Sequence, residues 1–107
     1  HQKLNNLVAI IDYNKLQGLG STTKIANLEP LKEKFESFGW KVHVVDGHNI
    51  QSMVTAFNNM LGQHDKPNLM IANTIKGKGV PFMENRFESH YEVLDEKKYQ
   101  IAIEKLK

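Results

Sequence analysis

The chain has 107 residues, of which 40% are hydrophobic and 24% charged, an ordinary composition for a soluble globular protein. This length allows one small domain and is too short for two. Its 14 basic and 12 acidic residues give a net charge of +2 without a basic stripe, so no nucleic-acid partner is predicted. The absence of cysteine excludes disulfides, thiolate metal sites and cysteine nucleophiles. Apolar runs are short and no signal-peptide pattern opens the chain, so we expect no membrane association and a cytoplasmic location.

The first predicted element is an apolar, β-branched run at residues 7–11, which we interpret as a strand buried on both faces. Residues 1–6 before it contain no initiator Met, so we expect the sequence to be a fragment of a larger protein. Asp12, Asn14 and Gln17 follow at the strand's carboxyl end, where open α/β sheets bind ligands. Asx residues are equally typical of turns, in which their side chains hydrogen-bond to nearby backbone. The pattern leaves both interpretations open.

Amphipathic helices alternate with further β-branched runs along the rest of the chain. Asn27 is predicted to cap a helix that has Pro30 in its first turn and ends at Gly39, and Gly62 ends the next helix. The connections between strands are too long for hairpins, so the pattern indicates βαβ units. We therefore predict an α/β fold, a three-layer αβα arrangement with a parallel sheet. The expected strands lie near 7–12, 41–46 and 69–74, and the expected helices near 28–38, 50–61 and 95–106.

A glycine-spaced basic loop, Lys76-Gly-Lys-Gly79, follows the third predicted strand. Glycines let the backbone approach an anion, backbone amides can point at it, and lysine adds a mobile positive charge, so this loop could hold a phosphate. It is not a Walker loop, because the glycine-to-lysine spacing and the following Ser or Thr are missing. A glycine turn with solvated lysines is the alternative interpretation.

The five histidines, at positions 1, 43, 48, 64 and 90, match no zinc-binding spacing. His43 alternates within a predicted strand and is interpreted as structural. His48 follows a strand end and is either a turn residue or close to a site. Residue spacing alone does not single out His90.

Taken as a set, these segments resemble transketolase, in particular the thiamine-diphosphate-binding (PP) domain of its N-terminal half or subunit. The resemblance depends on the order and separation of several segments and covers essentially all residues from 1 to 107, as a partial domain. These segments are Asp12-Tyr-Asn-Lys-Leu-Gln17, Trp40 through Asp46-Gly-His48, and Thr74-Ile-Lys-Gly-Lys-Gly-Val80 followed by His90.

The resemblance implies a set of site residues. The Asn14 side-chain oxygen and the Leu16 backbone carbonyl would ligate a Mg²⁺ or Ca²⁺ ion, which are hard ions that take oxygen donors. Lys76 matches a lysine near the thiamine diphosphate cofactor. His90 matches a catalytic and cofactor-binding histidine that faces the diphosphate and the substrate. The family has Trp-His-Gly around that histidine, whereas this chain has Ser89-His90-Tyr91.

The implied activity is transfer of a two-carbon ketol unit between sugar phosphates, as in the pentose phosphate pathway, by a homo-oligomeric enzyme. No Gly-Asp-Gly segment precedes Asn14, so the family's aspartate ligand is missing. The partner would be the remainder of the transketolase chain or a C-terminal subunit, and the isolated chain is expected to be inactive. Two alternatives stay open: a non-catalytic interaction module that kept the fold, and another thiamine-diphosphate enzyme, such as a deoxyxylulose phosphate synthase or a dehydrogenase subunit.

Overall fold

The computed structural model describes residues 4–62 and 65–107, which form two compact units. His1 and His64 lie outside the described residues. One unit contains the described residues of 1–13 and 28–74, and the other contains 14–27 and 75–107. The strands are β1 (Val8–Tyr13), β2 (Leu16–Gln17), β3 (Gly20–Ser21), β4 (Lys41–Asp46) and β5 (Asn68–Asn73). The helices are α1 (Thr22–Ile25), α2 (Leu31–Ser37), α3 (Ile50–Leu61) and α4 (Glu96–Lys105), with a 3-10 helix at Phe87–His90.

The first unit is built on a parallel three-stranded sheet in the order β1-β5-β4. From β1 the chain crosses to β4, leaving a gap that β5 fills when the chain returns. The two crossovers run in opposite directions along the sheet. Because both have the same hand, their helices lie on opposite faces. On one face, Leu31 and Phe35 of α2 pack with Leu69. On the other, Met60 of α3 packs with Met70. The predicted three-layer αβα fold with a parallel sheet is confirmed.

The strand that is buried on both faces is β5, and the prediction of two-sided burial for residues 7–11 is wrong. Leu69 and Met70 of β5 are each 1% exposed, whereas Ile10 of β1 is 55% exposed. The physical reason is position in the sheet: β5 is central, whereas β5 is the only partner of β1 among the described residues. An apolar run indicates a strand without indicating whether that strand is central or at an edge.

The start of α2 also differs from the prediction. Asn27 does not cap it: the helix begins at Leu31, with Pro30 at the N-cap position. The Leu31 amide donates instead to the Glu29 carboxylate at 2.9 Å, so a longer acidic side chain satisfies the first turn. The helix ends as predicted, because Gly39 adopts the left-handed conformation with a φ of 87° just after it.

The second unit contains the antiparallel hairpin of β2 and β3, followed by α1, the 3-10 helix and α4. The hairpin and α1 lie between β1 and α2, where no strand or helix was predicted. Asp95 caps α4 by accepting a hydrogen bond from the Lys98 amide at 2.8 Å. Within the residues that the structure describes, no helix has the length and apolar character needed to cross a membrane.

Candidate functional site

Asn14 begins the second unit with an Asx turn. Its side-chain oxygen Oδ1 accepts a hydrogen bond from the Leu16 amide at 2.9 Å. Lys15 between them has a φ of 63°, which reverses the chain, and its carbonyl accepts from the Thr22 amide at 2.9 Å. An amide oxygen has two lone pairs, so Asn14 Oδ1 keeps acceptor capacity for a cation after making this bond.

The Leu16 carbonyl faces the same side as the Asn14 side-chain oxygen. In an antiparallel ladder, residues that exchange hydrogen bonds with the partner strand alternate with residues whose N–H and C=O both point away from it. Lys15 bonds across to Thr22, so the next pair in the register, Leu16 with Ser21, is the outward-pointing one. The Leu16 amide reaches Asn14 on that outer side, and the carbonyl of the same residue points there too. Two oxygen donors therefore lie along one edge of β2, which is chemistry that suits a hard divalent ion.

The 3-10 helix that ends at His90 lies against β2. The Ser89 hydroxyl also anchors this helix, because it donates to the Met83 carbonyl at 3.2 Å. The His90 side chain is exposed at the end of this helix. Leu16 and His90 thus belong to two elements that contact each other, and Asn14 is joined to Leu16 by its Asx turn.

Lys76 begins the glycine-spaced loop at residues 76–79, and it is partly buried. The loop is closed by the Asn85 amide, which donates to the Lys76 carbonyl at 3.0 Å. Gly77 has a φ of 72°, and a Cβ there would lie 2.5 Å from the Met83 carbonyl oxygen. Within the described residues, no hydrogen bond or ion pair links Lys76 to the hairpin or to His90.

The second half of this loop offers fewer free amides for an anion than its glycines suggest. Three successive amides already donate within the chain. Those of Lys78, Gly79 and Val80 reach, in that order, the Ile75 carbonyl at 3.2 Å, the Glu84 carboxylate at 2.9 Å and the Gly77 carbonyl at 3.1 Å. An anion would have to compete with these acceptors, one of which is negatively charged. Any phosphate contact from residues 78–80 is therefore expected from a side chain and not from the backbone.

The other polar strand ends, which lie in the first unit, have structural partners. Asp12 accepts a hydrogen bond from the Thr74 hydroxyl and so joins the carboxyl ends of β1 and β5. Asp46 accepts from the His48 amide at 2.9 Å, which is the turn interpretation of this segment. Gly47 between them is closely packed, because a Cβ there would lie 2.5 Å from Cγ2 of Thr74.

A contact that the sequence did not predict joins Tyr91 to Gly18. A Cβ on Gly18 would lie 2.2 Å from the Tyr91 hydroxyl oxygen and 3.2 Å from Cζ of the ring. Gly18 lies in the turn of the hairpin that carries Leu16, and Tyr91 directly follows His90. The available sequence signal was the large aromatic residue at the position where the resemblance leads one to expect glycine.

Comparison with known proteins indicates one family for this chain. Residues 1–106 match a family model described as transketolase, thiamine diphosphate binding domain. A 6-deoxy-6-sulfo-D-fructose transketolase subunit of Clostridium sp. strain MSTE9 is 41% identical over 105 residues, which cover 98% of this chain and 38% of that protein. An apulose-4-phosphate transketolase subunit from Actinobacillus succinogenes is 42% identical, with the same coverage of both chains. The chain thus spans 38% of the length of these relatives.

Solved structures give the same result. A transketolase from Campylobacter jejuni superimposes with a TM-score of 0.86 at 31% identity, over 95% of this chain and 16% of that one. A transketolase from Pichia stipitis in complex with sedoheptulose 7-phosphate superimposes with a TM-score of 0.69 at 22% identity, over 99% of this chain and 20% of that one. The second similarity concerns the fold alone.

Proposed function

Because this chain belongs to the transketolase family of thiamine diphosphate-binding domains, we propose that it forms the cofactor-binding part of a transketolase-like transferase. The enzyme would move a two-carbon ketol unit from a ketose phosphate to an aldose phosphate. The observation that supports this best is the edge of β2, where the Asn14 side-chain oxygen and the Leu16 carbonyl lie together beside the 3-10 helix of His90. Thiamine diphosphate, when bound, supplies the carbanion stabilisation that the transfer needs.

Asn14 and Leu16 would hold a Mg²⁺ or Ca²⁺ ion that neutralises the diphosphate. Both donors are uncharged oxygens, which suit either ion but leave its charge uncompensated by this chain. The remaining ligands would be diphosphate oxygens, water and a group from outside these residues. In residues 4–62 and 65–107 there is no cluster of three or more His, Cys, Asp or Glu side chains that could hold a metal by itself.

Lys76 and His90 would act on the anionic parts of the ligands. The Lys76 ammonium would pair with the diphosphate as a point charge, while the amides of Lys78 and Gly79 already have acceptors within the chain. His90 is exposed at the end of its helix, where its imidazole can donate a hydrogen bond to a phosphate or exchange a proton with a substrate hydroxyl. These roles make Lys76 a cofactor-binding residue and His90 both a cofactor-binding and a catalytic residue.

We propose that the partner is a C-terminal subunit or the remainder of a longer chain, within a cytoplasmic homo-oligomer of the pentose phosphate pathway. The relatives named as transketolase subunits support a separate partner chain. Their substrates carry a sulfo group or a phosphate, so an anionic ketose is the expected donor. The 107 residues alone would bind thiamine diphosphate weakly or not at all, because two neutral ligands cannot complete the metal site.

The test compares the full-length protein with the isolated chain. Calorimetric titration with thiamine diphosphate and Mg²⁺ should give tight binding only for the full-length protein, and ketol transfer from xylulose 5-phosphate should require the partner. Asn14→Ala should lower the cofactor affinity by at least about tenfold through loss of one charge-assisted contact of about 1.5 kcal/mol or more. The matched control is Asn58→Ala, an exposed position on α3. Micromolar cofactor binding by the isolated chain, or full affinity in Asn14→Ala, would contradict the proposal.

A further inference from the structure

We propose that Tyr91 is a positioning residue, whose ring packs on Gly18 and holds the His90-bearing 3-10 helix against the hairpin that carries Asn14 and Leu16. The inference rests on the proposed function, because only a bound cofactor or substrate gives the distance between His90 and the hairpin a catalytic meaning. It assigns to Tyr91 a role in this chain that comes from geometry and not from the family pattern, which has glycine at the matching position.

The first observation is that the Tyr91 ring occupies the space where a side chain at position 18 would lie. A Cβ on Gly18 would lie 2.2 Å from the ring hydroxyl oxygen and 3.2 Å from Cζ, well inside van der Waals contact. Unlike Gly20, with its φ of 141°, Gly18 does not have a positive φ. The backbone would therefore accept an L side chain, and it is the ring that occupies the space. Gly18 and Tyr91 form a complementary pair.

The second observation is that this contact connects the 3-10 helix of His90 with the hairpin of β2 and β3. The Tyr91 amide donates to the Glu88 carbonyl at 2.9 Å, so Tyr91 continues the turn of the 3-10 helix that carries His90. The rings of His90 and Tyr91 lie 6.1 Å apart, centroid to centroid. Seating the Tyr91 ring on the hairpin turn therefore fixes the peptide of His90 relative to the Asx turn at Asn14.

The third observation concerns what the contact does not do. Tyr91 is 71% exposed, so it buries little apolar surface and adds little to the global stability. Its contribution is local and concerns order between two short elements.

The experiment uses the full-length protein and four variants: Gly18→Ala, Tyr91→Ala, the double variant of both, and the conservative Tyr91→Phe. Hydrogen exchange of residues 87–91 reports order in the 3-10 helix, and the Cε1–H resonance of His90, assigned with His90→Gln, reports its surroundings. Thiamine diphosphate affinity is measured in the presence of Mg²⁺. The matched control is Tyr99→Ala, a tyrosine on α4 that is 49% exposed.

Gly18→Ala and Tyr91→Ala should each increase the exchange of residues 87–91 about fivefold, the low end of couplings between distinct sites. The double variant should equal either single one, because both changes remove the same contact. Gly18→Ala should move the His90 resonance, while Tyr91→Phe, which keeps the ring, and Tyr99→Ala should leave the exchange and the resonance as in the parent. Cofactor affinity should fall about fivefold in the two alanine variants, with the thermal midpoint unchanged.

Additive effects in the double variant, or unchanged exchange in Gly18→Ala, would overturn the inference. A different result would reject the proposed function, namely the absence of thiamine diphosphate binding by the parent protein. Coupled exchange without any cofactor binding would thus support the contact and reject the function. Cofactor binding with independent effects of the changes at positions 18 and 91 would support the function and reject the role of the contact.

Discussion

Replacing Gly77 by alanine should be one of the most damaging single changes in the second unit. Gly77 has a φ of 72°, and a Cβ there would lie 2.5 Å from the carbonyl oxygen and 2.7 Å from the carbonyl carbon of Met83. The left-handed conformation costs an L residue about 1 kcal/mol. Because the clashing atoms are backbone, they cannot rotate away, and overpacking adds about 1–3 kcal/mol. We expect a loss of about 2–4 kcal/mol in the free energy of unfolding, measured by urea denaturation.

Two other glycines allow the conformational cost and the steric cost of Gly77→Ala to be measured separately. Gly39 has a φ of 87° with nothing within 4 Å of its Cβ position, so Gly39→Ala should show the conformational cost of about 1 kcal/mol alone. Gly62 has neither constraint, and Gly62→Ala should be neutral or stabilising by about 0.4–1 kcal/mol, because alanine restricts the unfolded chain. If Gly77→Ala costs no more than Gly39→Ala, the steric argument is refuted. Faster exchange of the Asn85 amide, which bonds to the Lys76 carbonyl, should accompany the loss in Gly77→Ala.

The remaining predictions concern the core, a buried imidazole nitrogen and stability in acid. Leu69→Ala, in a residue 1% exposed, should cost about 3 kcal/mol in urea denaturation, whereas Leu19→Ala, at 75% exposure, should change little. His43 Nε2 is buried without a hydrogen-bond partner among the described residues, so His43→Leu should raise the free energy of unfolding by about 1 kcal/mol, and a loss would contradict this. The hydrogen bond and charge of Lys98 hold the pKa of Glu92 below its ordinary 4.5, so this stabilisation is present above that value and is lost as the pH falls through the lowered pKa. The difference in thermal midpoint between the parent and Glu92→Gln should therefore disappear in acid. A difference that does not change with pH would refute the stabilising role of the Glu92–Lys98 pair.

The sequence determined the elements of the first unit well, because their signals are local. The β-branched run of β4 and the one-sided apolar spacing of α3 give bounds of 41–46 and 50–61, which the structure reproduces. Gly39 and Gly62 ended their helices as expected. The order of the motifs also sufficed to indicate the family. Asn14 was interpreted as either a turn residue or a site residue. Its side chain forms an Asx turn, which agrees with the first interpretation, and its role in a site stays a prediction.

Only the tertiary structure decided burial, competition between acceptors and contacts between distant residues. Apolar spacing reports how side chains alternate along one element, but burial depends on neighbours from elsewhere in the chain, which is why β5 and not β1 is central. The Gly79 amide donates to the Glu84 carboxylate, an acceptor that the spacing of the glycines does not predict. Gly18 and Tyr91 meet although most of the chain lies between them, because the hairpin and the 3-10 helix pack together. Such contacts exist only after the chain has folded, so no local pattern encodes them.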